Sequence, residues 1–115
     1  MPLHFANAHA PTEDQLTPTD LAQLRAIIGL AQGRPGYDGP VADYLADTTR
    51  HDVVADGVHR YDAWIIGGWQ PFVVFARGTG EVLAWWSDQD ASSESFADAD
   101  DVYAAYERVL AERDA

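Results

Sequence analysis

Cysteine is absent from these 115 residues, and so is lysine. Without thiols the chain forms no disulfide and offers no thiolate to a metal. Small secreted domains are usually stapled, so the lack of cysteine favours a reducing compartment. Without lysine all seven bases are arginine, and they face nineteen acids for a net charge of −12. Nucleic acid and anionic membrane both demand a footprint of basic side chains, so neither is expected as a partner. A basic protein is. Long apolar runs are missing too: Phe72 to Ala76 is among the longest, far below the roughly 20 residues that span a bilayer. The opening Met1-Pro2-Leu3-His4-Phe5-Ala6 has no basic n-region and no apolar stretch. It reads as no signal peptide, and the cytoplasm is the expected location. Alanine and aspartate richness, with arginine as the sole base, points to a high-GC genome or a salt-adapted host.

What the chain does have is aromatic bulk. Four Trp, five Tyr and four Phe supply a core that a disordered acidic tail lacks. The length is that of a single domain, residues 1–115. Residues 1–15 show no clear period and read as an N-terminal arm. A helix start follows, with Thr17 as N-cap, Pro18 at the first helical position and Asp20 closing a capping box. Leu21, Leu24, Ile27, Ile28 and Ala31 then repeat at helical spacing. Glycine and proline crowd 33–40 into a loop. A short second helix is expected after Pro40, with Val41, Tyr44 and Leu45 on one face. Thr48 to Asp52 reads as connecting loop.

The period changes at Val53. Val53-Val54-Ala55, Asp56-Gly57 and Val58 describe a hairpin. Tyr61 to Ile66, Phe72 to Arg77 and Glu81 to Ser87 supply further strands. Gly78-Thr79-Gly80 joins the last two, setting Arg77 opposite Glu81 and Phe75 opposite Leu83. Ser87 to Ala97 is read as an acidic loop, and a closing helix from about Asp98 buries Val102, Ala105, Tyr106, Val109 and Leu110. The expected fold is α+β: a small antiparallel sheet of three to four strands with an N-terminal, a short second and a C-terminal helix. Polar and apolar residues fail to alternate on its central strands. Phe72, Val74 and Ala76 oppose Val73 and Phe75, and Trp85 opposes Trp86, so both faces are apolar. The second face then meets the arm, a second copy of the chain, a partner or a ligand. Trp85 and Trp86 are the natural aromatic anchors for a partner.

Catalytic patterns are weak. His4, His9, His51 and His59 form no zinc-binding helix motif. His51-Asp52 is an adjacent pair of a kind that chance supplies among fourteen aspartates, and His59 and Asp62 fall on opposite faces of a strand. Asp88, Asp90, Ser92 and Glu94 echo the start of a calcium loop, but the sixth position is not glycine and the twelfth is Ala99. No metal or cofactor is expected. Gly78-x-Gly80 lacks the helix and lysine of a phosphate cradle.

Three stretches carry a resemblance: Asp43-Tyr44-Leu45-Ala46, the strands ending in Pro71-Phe72-Val73-Val74-Phe75, and Ser95-Phe96 before an amphipathic helix. In these the chain resembles bacterial immunity proteins against polymorphic toxins, of the SUKH-like superfamily. That resemblance implies an α+β fold without catalysis that occludes a toxin. Two functional readings follow. In the first, a non-catalytic acidic protein of the immunity or antitoxin kind binds a protein partner, with Trp85, Trp86, Asp88, Asp90, Glu94 and Asp98 at the contact. The partner is a basic toxin domain, or a second copy in a homodimer. In the second, a small-ligand-binding or enzymatic domain uses an aromatic pocket of Tyr61, Trp64 and Trp69, with His59 or Asp62 as its polar group.

Overall fold

The computed structural model describes residues 3–34, 36–46, 48–55, 59–66, 72–86 and 91–93. Helix α1 (Pro18–Gln32) starts where the capping chemistry dictates. The Thr17 hydroxyl accepts from the Asp20 amide at 3.0 Å, and the Asp20 carboxylate accepts from the Thr17 amide at 3.1 Å. The helix ends at Gly33, whose φ of 65° is the left-handed conformation that glycine adopts without strain. Around it run strands β1 (Leu3–His9), β2 (Thr48–Ala55), β3 (His59–Ile66), β4 (Phe72–Ala76), β5 (Val82–Trp86) and β6 (Ala91–Ser93). They form one sheet in the order β1-β2-β3-β4-β5-β6, antiparallel throughout. The fold is α+β with an antiparallel sheet, and no described helix is long and apolar enough to cross a membrane.

The sheet is larger than the sequence suggested. Six strands replace the expected three to four. The arm is the edge strand β1, and Thr48 to Asp52 is the first half of β2 rather than a loop. The short second helix is a single 3-10 turn at Ala42–Tyr44. Ala91–Ser93, expected within an acidic loop, pairs with β5. The closing helix from Asp98 lies outside the described residues. The β4–β5 hairpin also shifts register: Val74 faces Ala84, but Phe75 faces Val82 rather than Leu83, so Leu83 is the extra residue of a bulge.

Strand parity sorts the side chains onto two faces. Toward α1 point Asp52, Asp62, Trp64, Ile66, Val73 and Phe75, where the apolar members pack with Leu24, Ile27 and Ile28 of the helix. On the opposite face Val53, Ala63, Ile65 and Val74 are also buried. The second face is thus core at these positions within one copy of the chain. Burial on both sides explains why apolar residues run without alternation.

Candidate functional site

The polar residues of this fold gather under the N-terminal half of α1. Asp62 sits in mid-β3 on the helix side, 1 % exposed. A buried carboxylate needs its lone pairs occupied, and Asp62 has three neighbours. Gln23 Nε2 donates to Oδ2 at 3.1 Å, Arg50 Nη2 donates to Oδ1 at 2.5 Å, and Arg77 Nη1 lies 3.5 Å away. Gln23 is itself buried in the helix. It also donates to the Thr79 carbonyl at 2.8 Å and accepts from the Trp64 indole at 2.8 Å. Trp64, Gln23, Asp62 and Arg50 form one continuous chain of hydrogen bonds from the core outward.

Cross-strand pairing makes a second demand. Asp52 and Asp62 are directly opposed in the β2–β3 ladder, and like charges so placed repel. The two arginines relieve this. Arg50 reaches Asp52 at 3.3 Å as well as Asp62, and Arg77 donates to Asp52 at 2.8 Å. Asn7 supplies another donor to Asp52 at 2.9 Å. That contact comes from a left-handed turn in β1, with φ 54° at Asn7, where asparagine is tolerated better than most residues. Burial pushes the Asp52 carboxyl up, but the Asn7 amide, Arg77 and Arg50 together outweigh it and hold it below the ordinary carboxylate range. Asp20 completes the cluster, with Oδ1 3.4 Å from Arg50 Nε.

Above this network opens a cleft of about 410 Å³, lined by His9, Gln15, Thr17, Thr19 and Asp20 on one side and Arg50, Asp62, Arg77 and Gly78 on the other. Its size suits a small polar molecule or one side chain of a partner. Its arginines are already paired: Arg50 with Asp62 and Asp20, and Arg77 with Asp52 and Asp62, three carboxylates to two guanidinium groups. The cleft is therefore polar, and the network beneath it holds one more carboxylate than guanidinium. Among the described residues no group of three His, Asp or Glu is placed to hold a metal ion.

The residues singled out from the sequence are not brought into one site. Trp64 and Asp62 face α1, and Trp64 is fully buried with its N–H bonded to Gln23, so it is core rather than pocket wall. Tyr61 projects from the opposite face of the same strand. Of the residues read as an aromatic pocket, Tyr61 and the pair Asp62 and Trp64 thus stand on opposite faces of the sheet. Trp69 and the His59 side chain lie outside the described residues. His51 and Asp52 part company in the same way. His51 is buried on the second face, its ring 5.5 Å from Phe5 and at 74° to it, with Nε2 3.1 Å from the Thr49 hydroxyl. Trp85, half-buried, packs against the α1-side core. The Trp86 side chain and Asp88, Asp90, Glu94 and Asp98 lie outside the described residues. Arg77 turns to Asp52 and Asp62, the role that the sequence reading gave to Glu81. Sequence reasoning missed Gln23, Arg50 and Asp52 as a unit. Polar residues as far apart in the chain as Gln23 and Asp52 leave no local motif. Compared with family models, curated proteins and solved structures, the chain finds no match.

Proposed function

We propose that this chain is a non-catalytic, acidic binding protein of the bacterial cytoplasm, an immunity or antitoxin-type inhibitor that neutralises a basic protein toxin by covering it. One observation supports this above the others: among the described residues, acids stand exposed on several elements while Arg50 and Arg77 are held in ion pairs. Arg50 and Arg77 are taken up by Asp20, Asp52 and Asp62, and Arg25 bonds the Gly39 carbonyl. Glu13, Asp14, Asp38, Asp43 and Glu81 are exposed. The net charge of −12, with these acids on the surface, draws in a basic surface and repels nucleic acid. The acids Asp88, Asp90, Glu94 and Asp98, with Trp85 and Trp86 beside them in sequence, are the proposed contact. The resemblance to SUKH-like immunity proteins agrees with this reading.

A genetic test is direct. The genes beside this one are expressed alone, and one that encodes a basic toxin domain is expected to arrest growth. Co-expression of this chain restores growth, and the Asp88→Asn/Asp90→Asn/Glu94→Gln variant restores it less. A neighbouring gene with no toxic product, or arrest that co-expression leaves untouched, overturns the proposal.

A further inference from the structure

We infer that the cleft over the N-terminal end of α1 takes the guanidinium of an arginine side chain presented by the protein partner. The occupant rests on the proposed capture of a basic protein, and its place rests on the charges beneath the cleft. Asp20, Asp52 and Asp62 set three negative charges against the two positive charges of Arg50 and Arg77. A third guanidinium brings the count to three and three. Asp20 is the acceptor it meets. Its Oδ2 is occupied by the Thr17 amide. Its Oδ1 lies 3.4 Å from Arg50 Nε, a contact that attracts without being a hydrogen bond. The side chain is only 14 % exposed, and a carboxylate oxygen so far buried calls for a donor. It stands in the wall of a cleft of about 410 Å³, wide enough for one side chain.

The lining decides the sign of the occupant. His9 Nδ1 lies 3.1 Å from the Asn7 carbonyl, which only accepts. Nδ1 therefore carries the hydrogen, and the neutral ring keeps Nε2 as an acceptor. Glu13 and Asp14 share a 3-10 turn with Gln15 of the lining, and Glu81 follows the turn that begins at Gly78; all three acids are exposed. An anion finds little to hold it. Pro18 has no amide hydrogen, and the Asp20 amide is already taken by the Thr17 hydroxyl, so the helix end is largely capped. Arg77 shows that the network accepts a guanidinium from its exposed side. It is 42 % exposed and reaches both Asp52 and Asp62. Arginine fits better than lysine, because its planar fork meets two acceptors at once.

N-acetyl-arginine amide, whose one charge is its guanidinium, tests the cleft with no partner present, and N-acetyl-citrulline amide is its neutral control. In amide NMR spectra of the unmodified chain, the arginine compound at millimolar concentration shifts Thr19, Asp20, Arg50 and Gly78 saturably, and the citrulline compound does not. Asp20→Asn keeps an oxygen for the Thr17 amide but loses the charge, and weakens binding on the order of tenfold. Arg77→Gln, at an exposed position, removes a competing guanidinium and tightens binding on the order of threefold. Asp43→Asn, the same loss of charge outside the lining, leaves binding unchanged. No saturable shift, equal shifts from the citrulline compound, or equal weakening by Asp20→Asn and Asp43→Asn overturns the inference. So does inorganic phosphate moving these amides where the arginine compound does not. Growth protection by a chain whose cleft leaves the probe unbound removes this site and keeps the toxin proposal. Binding of the probe without growth protection keeps the guanidinium site and removes a toxin as the source of its arginine.

Discussion

Replacing Asp62 by Ala removes the central acceptor of the polar network. The side chain is 2 % exposed and holds Arg50 at 2.5 Å and Gln23 at 3.1 Å. Loss of one member of a buried ion pair costs about 3–5 kcal/mol, since the partner keeps its charge without its counter-charge. Two features place this case at the lower end. Arg50 retains Asp52 at 3.3 Å, and Gln23 retains the Thr79 carbonyl at 2.8 Å. About 3 kcal/mol is the expected loss, a large share of the roughly 5–15 kcal/mol that stabilises a domain. With a urea m-value of about 1.5 kcal/mol per molar, the unfolding midpoint falls by about 2 M. Arg77→Ala is the matched control. Its side chain is 42 % exposed although it contacts the same two carboxylates, and exposed ion pairs contribute about 0–1 kcal/mol. Urea titrations followed by circular dichroism, with unchanged slopes, measure both. Equal losses in the two variants, or an Asp62→Ala loss under about 1 kcal/mol, would refute the view that burial decides the worth of these pairs.

Two further outcomes follow from the same contacts. Phe75 is fully buried between α1 and the sheet, so Phe75→Ala costs about 3–5 kcal/mol in the same titration; a smaller loss places Phe75 outside the core. Asp52 is held below the ordinary carboxylate range in the folded chain, so its contribution is full above the unfolded-state value and is lost as pH falls through the folded one. Thermal melts across acid pH show that decline, and Asp52→Asn flattens it; an identical slope in the variant removes Asp52 as its source.

Helix α1 was legible because its signals are local. Thr17, Pro18, Asp20 and Gly33 mark its ends, and Leu24, Ile27 and Ile28 mark its buried face. The two-sided burial of the central strands was legible too, from Val73, Val74 and Phe75 lying side by side in an apolar run. What local reading missed is β1 and the first half of β2. Thr48-Thr49-Arg50-His51-Asp52 is polar, and polarity in sequence resembles a loop. Its polarity serves the interior instead: Arg50 and Asp52 enter the network beneath α1, while His51 packs beside Phe5 on the other face. Phe5 and His51 stand 46 positions apart, and Gln23 meets Asp62 across 39 residues. Only the register of the sheet joins such residues. The separation of Tyr61 from Trp64 has a related reason. Tyr61 and Trp64 are close in sequence, but a strand's period of two sends them to opposite faces.

The central claim, that an acidic surface captures a basic protein, rests most directly on association kinetics. Stopped-flow mixing of this chain with a basic toxin domain identified by the co-expression test, over a series of salt concentrations, measures it. The account predicts an association rate that falls steeply as salt rises, because electrostatic steering acts on encounter. It further predicts that the Asp88→Asn/Asp90→Asn/Glu94→Gln variant loses rate while its thermal stability stays unchanged. An association rate indifferent to salt and to those three substitutions would contradict it.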